Sequence, residues 1–440
     1  MFGVPPLYTS LPPTIDTLET KTTAEQQDTV KKILPYYSGN PYNFKLNSYG
    51  IPKLLRNAHS QYLSEGLGEY PEGFVGMDAS RPWIPYWSLC GLSLLGEDVS
   101  VFQEGAADTY RACQNPTGGF GGGHGQTSHV ITSYATVLAL VTVGGEEVYE
   151  LIDRKALWHW LGSMKQKDGG FTVTKGGEED VRGAYCAMVI ISLLDLPVQL
   201  PPDSPARVKG DETFMTGLPE WISLCQTFEG GIGGAPDNEA HGAYAFCALA
   251  CLCIMGAPHE IINKYLDVPS LIHWLSSRQM APEGGFAGRA NKLVDGCYNH
   301  WVGGCWALAE AAISTPTAPA TPLPTELWSR EGMIRYVLCC CQGKRGGLRD
   351  KPDKHVDGYH TCYNLCGLSA AQYRYTYAQP AEPKFTPPLN AGFNWTASDL
   401  EAHERIFDDD DLVGKINPVY CVPWGAAETA RAYFEKKAGF

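Results

Sequence analysis

The sequence predicts an all-α protein, an α/α toroid in which six helical hairpins form an outer and an inner ring around a central cavity. Three observations carry the prediction. A glutamine followed by a glycine pair recurs five times, a helix-like segment with one polar face precedes each recurrence, and a segment apolar nearly all round follows it.

The recurrences are "CQNPTGGFGG" from 113, "KQKDGGF" from 165, "CQTFEGGIGG" from 225, "RQMAPEGGF" from 278 and "CQGKRGGL" from 341. Their glutamines, Gln114, Gln166, Gln226, Gln279 and Gln342, lie 52, 60, 53 and 63 residues apart, a period typical of repeat architectures. Segments such as "LIDRKALWHWLGSMKQ", "LPEWISLCQ" and "PSLIHWLSSRQ" are expected outer helices ended by the glycines, because glycine takes the left-handed cap at low cost. The expected inner helices are "RPWIPYWSLCGLSLL", "YATVLALVTV", "AYCAMVIISLL", "AYAFCALACLCIM", "CYNHWVGGCWALAEAA" and "CYNLCGLSAAQ". All-round apolarity implies burial on every side, which favours closure of the six pairs into a ring over an open solenoid. All inner helices then run parallel, and their N-termini surround one mouth suited to an anion.

The ring is expected over residues 59–375, with an N-terminal extension and first helices over 1–58. Residues 376–440 form a proline-rich connection, an acidic loop and a C-terminal closing helix. Of 440 residues 44% are hydrophobic and 19% charged, enough apolar material for a large core. A formal charge of -14 argues against general nucleic-acid binding. Fifteen cysteines, an odd number, and a start without a basic or apolar leader are read as a reduced cytoplasmic protein without a disulfide framework. The longest apolar run, 243 to 255, is too short for a transmembrane segment.

Aligning the inner helices on Tyr86, Tyr134, Tyr185, Tyr244, Tyr298 and Tyr363 places Trp83, Ile131, Arg182, His241, Asp295 and His360 three residues earlier. Four of those six are ionisable, and in a closed ring equivalent slots face the same mouth. Asp295, Cys297 and His360 can therefore converge, and a carboxylate, a thiolate and an imidazole suit zinc with its fourth position open. The plainer reading is a buried cysteine beside a capping aspartate and an unrelated histidine. Arg289, Lys292, His241 and Tyr298 offer donors for a phosphate or diphosphate, or are ordinary loop charges. Trp83, Trp87, Tyr185, Tyr244, Trp301 and Trp306 line an apolar cavity for a long hydrocarbon, or fill the core. Asp350 and Asp357, in "GGLRDKPDKHVDGYH", are candidate hard-cation ligands or solvated turn residues. Asp408 to Asp411 lie outside the repeats and read as a solvated acidic run.

The stretches "DASRPWIPYW", "QNPTGGFGGG", "GGEEDVRGAYC", "CQTFEGGIGG", "EAHGAYAFC", "GRANKLVDGCY" and "YHTCY" carry a resemblance to the β subunits of the protein prenyltransferase family, on its farnesyl-transferring branch. It runs from about residue 60 to near 435, while 1–58 and the tail after 375 match weakly. The resemblance implies an α/α barrel in which Asp295, Cys297 and His360 hold one zinc ion whose open position takes the cysteine thiolate of a C-terminal CaaX peptide. It assigns the diphosphate of farnesyl diphosphate to His241, Arg289, Lys292 and Tyr298, and magnesium to Asp350. The isoprenoid falls on Trp83, Tyr134, Arg182, Tyr185, Cys247 and Trp301, and the peptide on Ser80, Trp83, Trp87, His129, Arg182 and Tyr359. A helical-repeat α subunit completes a heterodimer.

Geranylgeranyltransferase type I is the nearest rival. Trp83 and Tyr134, expected as bulky aromatics at the cavity floor, favour the shorter lipid, and so does Asp350, where that rival resembles the family with a lysine. A terpene cyclase on the same barrel would need a buried acid and no thiolate site, and a non-catalytic scaffold would leave the mouth chemistry a coincidence.

Overall fold

The computed structural model describes residues 17–314 and 326–440. Past α1 (Lys21–Ser38), outer and inner helices alternate along the chain. The first pairs are α2 (Arg56–Glu65) with α3 (Trp83–Leu94), and α4 (Gln103–Arg111) with α5 (Val130–Val143). Next come α6 (Arg154–Met164) and α7 (Val181–Leu193), then α8 (Leu218–Leu224) and α9 (Gly242–Met255). After α10 (Pro258–Tyr265), the outer α11 (Val268–Ser276) covers an inner helix broken into α12 (Tyr298–Trp301) and α13 (Cys305–Ile313). The last outer helix, α14 (Arg330–Arg335), runs on into a π-helical segment (Tyr336–Cys341) and covers α15 (Gly358–Gln372). The inner helices touch one another in chain order and α15 packs on α3, so the expected ring closes.

Two small antiparallel sheets decorate the helices. β1 (Leu348–Arg349) pairs with β2 (Val356–Asp357), setting Leu348 opposite Asp357, and β3 (Tyr373–Tyr377) pairs with β4 (Trp395–Asp399), setting Tyr373 opposite Asp399. The inner helices are held by burial. In α9 every residue from Ala245 to Met255 is buried, as are all but Ile131 in α5. A fully buried Leu, Ile or Phe stabilises by about 1.5–3 kcal/mol relative to its exposed state, which only a covered inner layer can supply at every position.

The glycine pairs act differently from the expectation. The outer helices stop earlier, at Arg111, Met164, Leu224, Ser276 and the π-helical Cys341, and none of these ends on a left-handed glycine cap. The glycines instead turn a tight hairpin: Gly118 N–H donates to Asn115 O, Gly169 to Gln166 and Gly230 to Thr227. Their left-handed backbone permits it, with φ +94°, +115° and +93°. The hairpin lies against the next outer helix. A Cβ on Gly118, Gly169, Gly230 or Gly284 would fall 2.1–2.5 Å from a carbonyl oxygen of Ala156, Gly217, Ser270 or Gly332, so only glycine fits. Gly346 repeats this against Ala58 of α2, joining the last repeat to the first.

The glutamines complete the joint. Gln226 donates to Asp267 O at 3.0 Å and accepts from Asp267 N–H at 2.8 Å. Gln279 does the same with Ser329, and Gln114 bridges Leu151 and Asp153. Gln342 clasps Lys53 O and Leu55 N–H, again closing the circle. Asp153, Asp267, Ser329 and Leu55 are the N-caps of α6, α11, α14 and α2, so each clasp fixes the start of the next outer helix. Gln166 is the exception and bonds Met164 O within its own repeat.

The acidic run is not solvated throughout. Asp411 is fully buried, accepting from Leu54 N–H at 2.8 Å and from the Asn47 amide at 2.9 Å, while Asp408 accepts from Ser48 and Asp410 pairs with Lys53 at 3.1 Å. It is a clip between the tail and the segment leading into α2. The tail then crosses beneath the inner ring, where Tyr86 OH donates to Cys421 O at 2.7 Å and Tyr185 OH to Val419 O at 2.8 Å. α16 (Ala426–Lys436) packs on α5 and α7 at this end.

Candidate active site

Every inner helix after α3 begins with a capping side chain that sets the mouth. Val130 N–H donates to Val173 O, Val181 to Gly234, Gly242 to Gly288 and Gly296 to Asp350, so these four starts are each tied to the following repeat's loop. The side chains just before those residues cap the helices. His129 Nδ1 accepts from Ile131 N–H, Asp180 from Arg182, His241 Nδ1 from Ala243, Asp295 from Cys297 and Asp357 from His360. The capping residues define the true register, and the tyrosine column corrects accordingly. Tyr134 and Tyr185 are equivalent, but the fourth helix places Phe246 in their slot, Tyr244 and Tyr298 sit two residues nearer the mouth, and Tyr363 lies one residue farther from it.

Asp295, Cys297 and His360 meet even so, because all three belong to the first turns of adjacent inner helices. Asp295 Oδ1, Cys297 Sγ and a His360 ring nitrogen lie within 4.8 Å of one another, with His360 Nε2 3.1 Å from Asp295 Oδ1. Asp357, expected as a hard-cation ligand, is committed elsewhere: its Oδ2 lies 2.7 Å from His360 Nδ1 while it caps α15. Sequence reasoning missed that role, although an aspartate three residues before the histidine at an inner-helix start is a capping signal. Burial alone would lower the His360 pKa, but the carboxylates of Asp295 and Asp357 outweigh it and raise it to about 10. Burial works to raise the Asp295 pKa, yet the bond and charge of His360 bring it below the usual carboxylate range. Burial, then Asp295, pushes the Cys297 thiol up. Asp295 and Asp357 thus place negative charge on both sides of the His360 ring, a setting that suits a cation with thiolate affinity beside Cys297.

The anion donors converge in part. Tyr298 OH is 3.1 Å from His241 Nε2. Burial and nearby Arg289 lower the His241 pKa; with Nδ1 accepting a backbone N–H, the neutral ring carries its proton on Nε2, facing the mouth. Arg289 pairs with Glu239, and Lys292 remains exposed on the loop. Arg182 is committed to Asp180 and, at 3.5 Å, to Glu178, with its guanidinium 5.6 Å from the Tyr244 ring centre. Asp350 is engaged by Lys351, whose Nζ lies 2.6 Å from Oδ2. His129 caps α5, and Ser80 ends a 3-10 segment (Glu72–Ser80) just ahead of α3.

Below the mouth the aromatic side chains form an unbroken circuit. Trp83 contacts Tyr134 with ring centres 5.9 Å apart, Tyr134 contacts Tyr185 at 5.5 Å, Tyr185 contacts Phe246 at 5.9 Å, and Phe246 contacts Trp301 at 5.6 Å. Trp301 continues to Tyr363 at 4.6 Å, Tyr363 to Tyr359 at 4.9 Å, Tyr359 to Trp87 at 5.4 Å and Trp87 back to Trp83 at 5.7 Å. Phe246 was missed because the tyrosine alignment gave its slot to Tyr244. Cys247 is buried beside it, and Trp306 is fully buried in the core against Trp328. Trp83 is not at the floor: it opens α3 one turn nearer the mouth than the tyrosine layer, and the floor is Val419 to Cys421, with His300 Nε2 3.3 Å from Cys421 Sγ. A separate cavity of about 490 Å³ at the opposite end is lined by Arg154, Asp195 and Arg431, far from these groups.

A closed α/α ring with a three-ligand cluster and anion donors at one mouth, above an aromatic-walled interior, defines a class, the α/α toroid prenyltransferases. The model of the prenyltransferase alpha-alpha toroid domain matches residues 54–422. The chain is 52% identical over 446 residues to the protein farnesyltransferase subunit beta of Pyricularia oryzae, covering 100% of this chain and 85% of that one. It is 36% identical over 414 residues to the protein farnesyltransferase subunit beta of Schizosaccharomyces pombe, covering 94% and 97%. The chain belongs to the family of protein farnesyltransferase β subunits and is part of a prenyl-transferring enzyme. The solved Candida albicans protein geranylgeranyltransferase-I complexed with GGPP, 19% identical with a TM-score of 0.64 over 88% of this chain and all of that one, shares the fold.

Proposed function

We propose that this chain, paired with an α subunit in the cytoplasm, transfers farnesyl from farnesyl diphosphate to the cysteine thiol of a C-terminal CaaX sequence. The observation that carries the reading is the cluster of Asp295, Cys297 and His360 within 4.8 Å, directly beside the His241–Tyr298 pair, in which Tyr298 follows Cys297. Its donor set fits zinc with a free fourth position. With zinc held there, an incoming thiol ionises at neutral pH and becomes a nucleophile.

The remaining steps belong to the chain's own side chains. Asp357 fixes the His360 ring so that Nε2 faces the cluster. His241 Nε2–H, Tyr298 OH and Arg289 receive the diphosphate as its charge grows, Arg289 exchanging Glu239 for it. Lys292 is free to reach the same group. The circuit from Trp83 to Trp301 holds the isoprenoid and excludes water, with Arg182, Tyr185 and Cys247 on the same wall. Ser80, Trp87, His129 and Tyr359 border the peptide path. A magnesium ion at Asp350 has to displace the Lys351 ammonium now on that carboxylate.

Co-expression with a candidate α subunit, followed by farnesyl and geranylgeranyl diphosphates in competition for a CaaX peptide, tests the proposal. Mass spectrometry should find the farnesyl adduct in excess on the peptide cysteine. A geranylgeranyl adduct in excess, or none, refutes it.

A further inference from the structure

Besides the mouth cluster, one other group of side chains among the described residues could hold an ion: Cys90, Cys362 and Cys366, whose sulfurs lie within 4.8 Å of one another. Cys90 projects from α3. Cys362 and Cys366 are four residues apart on one face of α15, and α3 against α15 is the seam where the last inner helix meets the first. All three side chains are fully buried. The groups that act on them are one another, Tyr86 and Cys421, all uncharged.

The charge of the complex decides what such a site accepts. Three thiolates around a monovalent ion leave two net negative charges, and around a divalent ion one, in an interior that offers no cation to offset them. Burying an unpaired charge carries a desolvation penalty that nothing beside these sulfurs offsets. A trivalent thiophile leaves none. Soft donors without a carboxylate or imidazole also exclude hard cations.

We propose that Cys90, Cys362 and Cys366 form a three-thiol chelate for a trivalent thiophilic element of the arsenite class, bound as a neutral complex that ties α3 to α15. The exchange is balanced: As(OH)3 and three thiols give As(S–Cys)3 and three waters, the three S–H and three As–O bonds being replaced by three As–S bonds and three O–H bonds in the departing waters. Arsenic stays trivalent and no electron moves. Arsenous acid is itself neutral at physiological pH, so it enters a buried apolar seam without the cost of desolvating an ion. The mouth cluster, with a single sulfur, does not compete for it.

The purified heterodimer, kept reduced, is incubated with sodium arsenite, desalted, and examined by native mass spectrometry and elemental analysis. One arsenic should bind with loss of three protons and without displacing zinc. Cys90→Ala, Cys362→Ala and Cys366→Ala should each weaken binding at least about 100-fold, the upper end of what loss of a mere supporting group costs. Cys251→Ala and Cys340→Ala, at other buried cysteines, should leave it unchanged. Arsenic X-ray absorption of the wild-type complex should show three sulfur neighbours and no oxygen, a readout independent of how well any variant folds. No retained arsenic, arsenic with fewer than three sulfurs, or binding indifferent to all three substitutions would overturn the proposal.

Discussion

The His360 ring is held at both nitrogens, Nδ1 by Asp357 at 2.7 Å and Nε2 facing Asp295 at 3.1 Å. The first contact comes from the cap of His360's own helix and the second from a neighbouring inner helix, so the ring's orientation depends on the closure of the toroid. Asp357→Asn separates the two duties of the cap. Asparagine caps a helix as well as aspartate does, but it removes the charge behind the imidazole. Zinc retention should fall about 10–100-fold, read by chelator competition, with the melting temperature nearly unchanged. Undiminished retention would remove Asp357 from the metal's support.

Asp411 offers a test of the clip between tail and N-terminal segment. Its carboxylate satisfies Leu54 N–H and the Asn47 amide with no solvent exposure. Asp411→Ala leaves Leu54 N–H buried and unpaired, at about 1–3 kcal/mol, and reduces the Asn47 amide to its longer bond to Ile406 O at 3.3 Å, so it should lower the melting temperature measurably. Asp409→Ala is the comparison, since that side chain is exposed, and it should change stability by less than about 0.5 kcal/mol. Equal effects from the two variants would show that the clip carries no stability.

Lys165 is the odd member of a repeat position that elsewhere holds Cys113, Cys225, Arg278 and Cys341. It is buried, donating to Gly169 O at 2.6 Å with its ammonium 4.8 Å from the Phe171 ring centre, and burial lowers its pKa from 10.5 to about 7. The unfolded chain therefore holds a proton at pH values where the folded chain has lost it, so folding stability rises with pH between these two values. Below about pH 7 both states are charged and the burial penalty is complete. Lys165→Met should raise the melting temperature most at and below about pH 7, with the advantage shrinking toward pH 10. A pH-independent difference would show that Lys165 is charged, or neutral, throughout.

The ring was legible in the sequence because its inner helices are apolar on every face and its glycine hairpins admit no other residue at the contact with the next helix. The convergence of Asp295, Cys297 and His360 was legible through the proximity of first turns, although the alignment behind it was off by two residues in the fourth and fifth helices and by one in the sixth. Aromatic side chains made a poor ruler there. The slot is filled by Phe246 in one helix and Tyr185 in another, whereas the capping residues His129, Asp180, His241, Asp295 and Asp357 keep their place because each must satisfy the same exposed N–H groups. The floor was not legible. Val419 to Cys421 are irregular backbone with no periodicity, fixed by hydroxyls from Tyr86 and Tyr185 more than 230 residues away.

That floor and the position of Trp83 together set the last expectation. Trp83 occupies the upper wall, linking Trp87 of its own helix to Tyr134 of the next, while Tyr134 and Tyr185 rest on the tail segment through hydroxyls 3.3 Å apart. The floor residues are fully packed, so a longer chain can gain room more readily at the wall. Trp83→Thr removes most of the indole and opens the circuit between α3 and α5 without touching Asp295, Cys297 or His360. An added isoprene unit is five carbons, and apolar pockets discriminate by about 1–3 kcal/mol per methylene-sized difference. Relief of that exclusion should raise geranylgeranyl transfer at least about tenfold relative to farnesyl transfer in direct competition, with bound zinc unchanged. If the variant keeps the wild-type ratio, the length limit lies in the Val419–Cys421 floor, and Tyr185→Phe, which frees one hydroxyl bond to that segment, becomes the substitution that should move it.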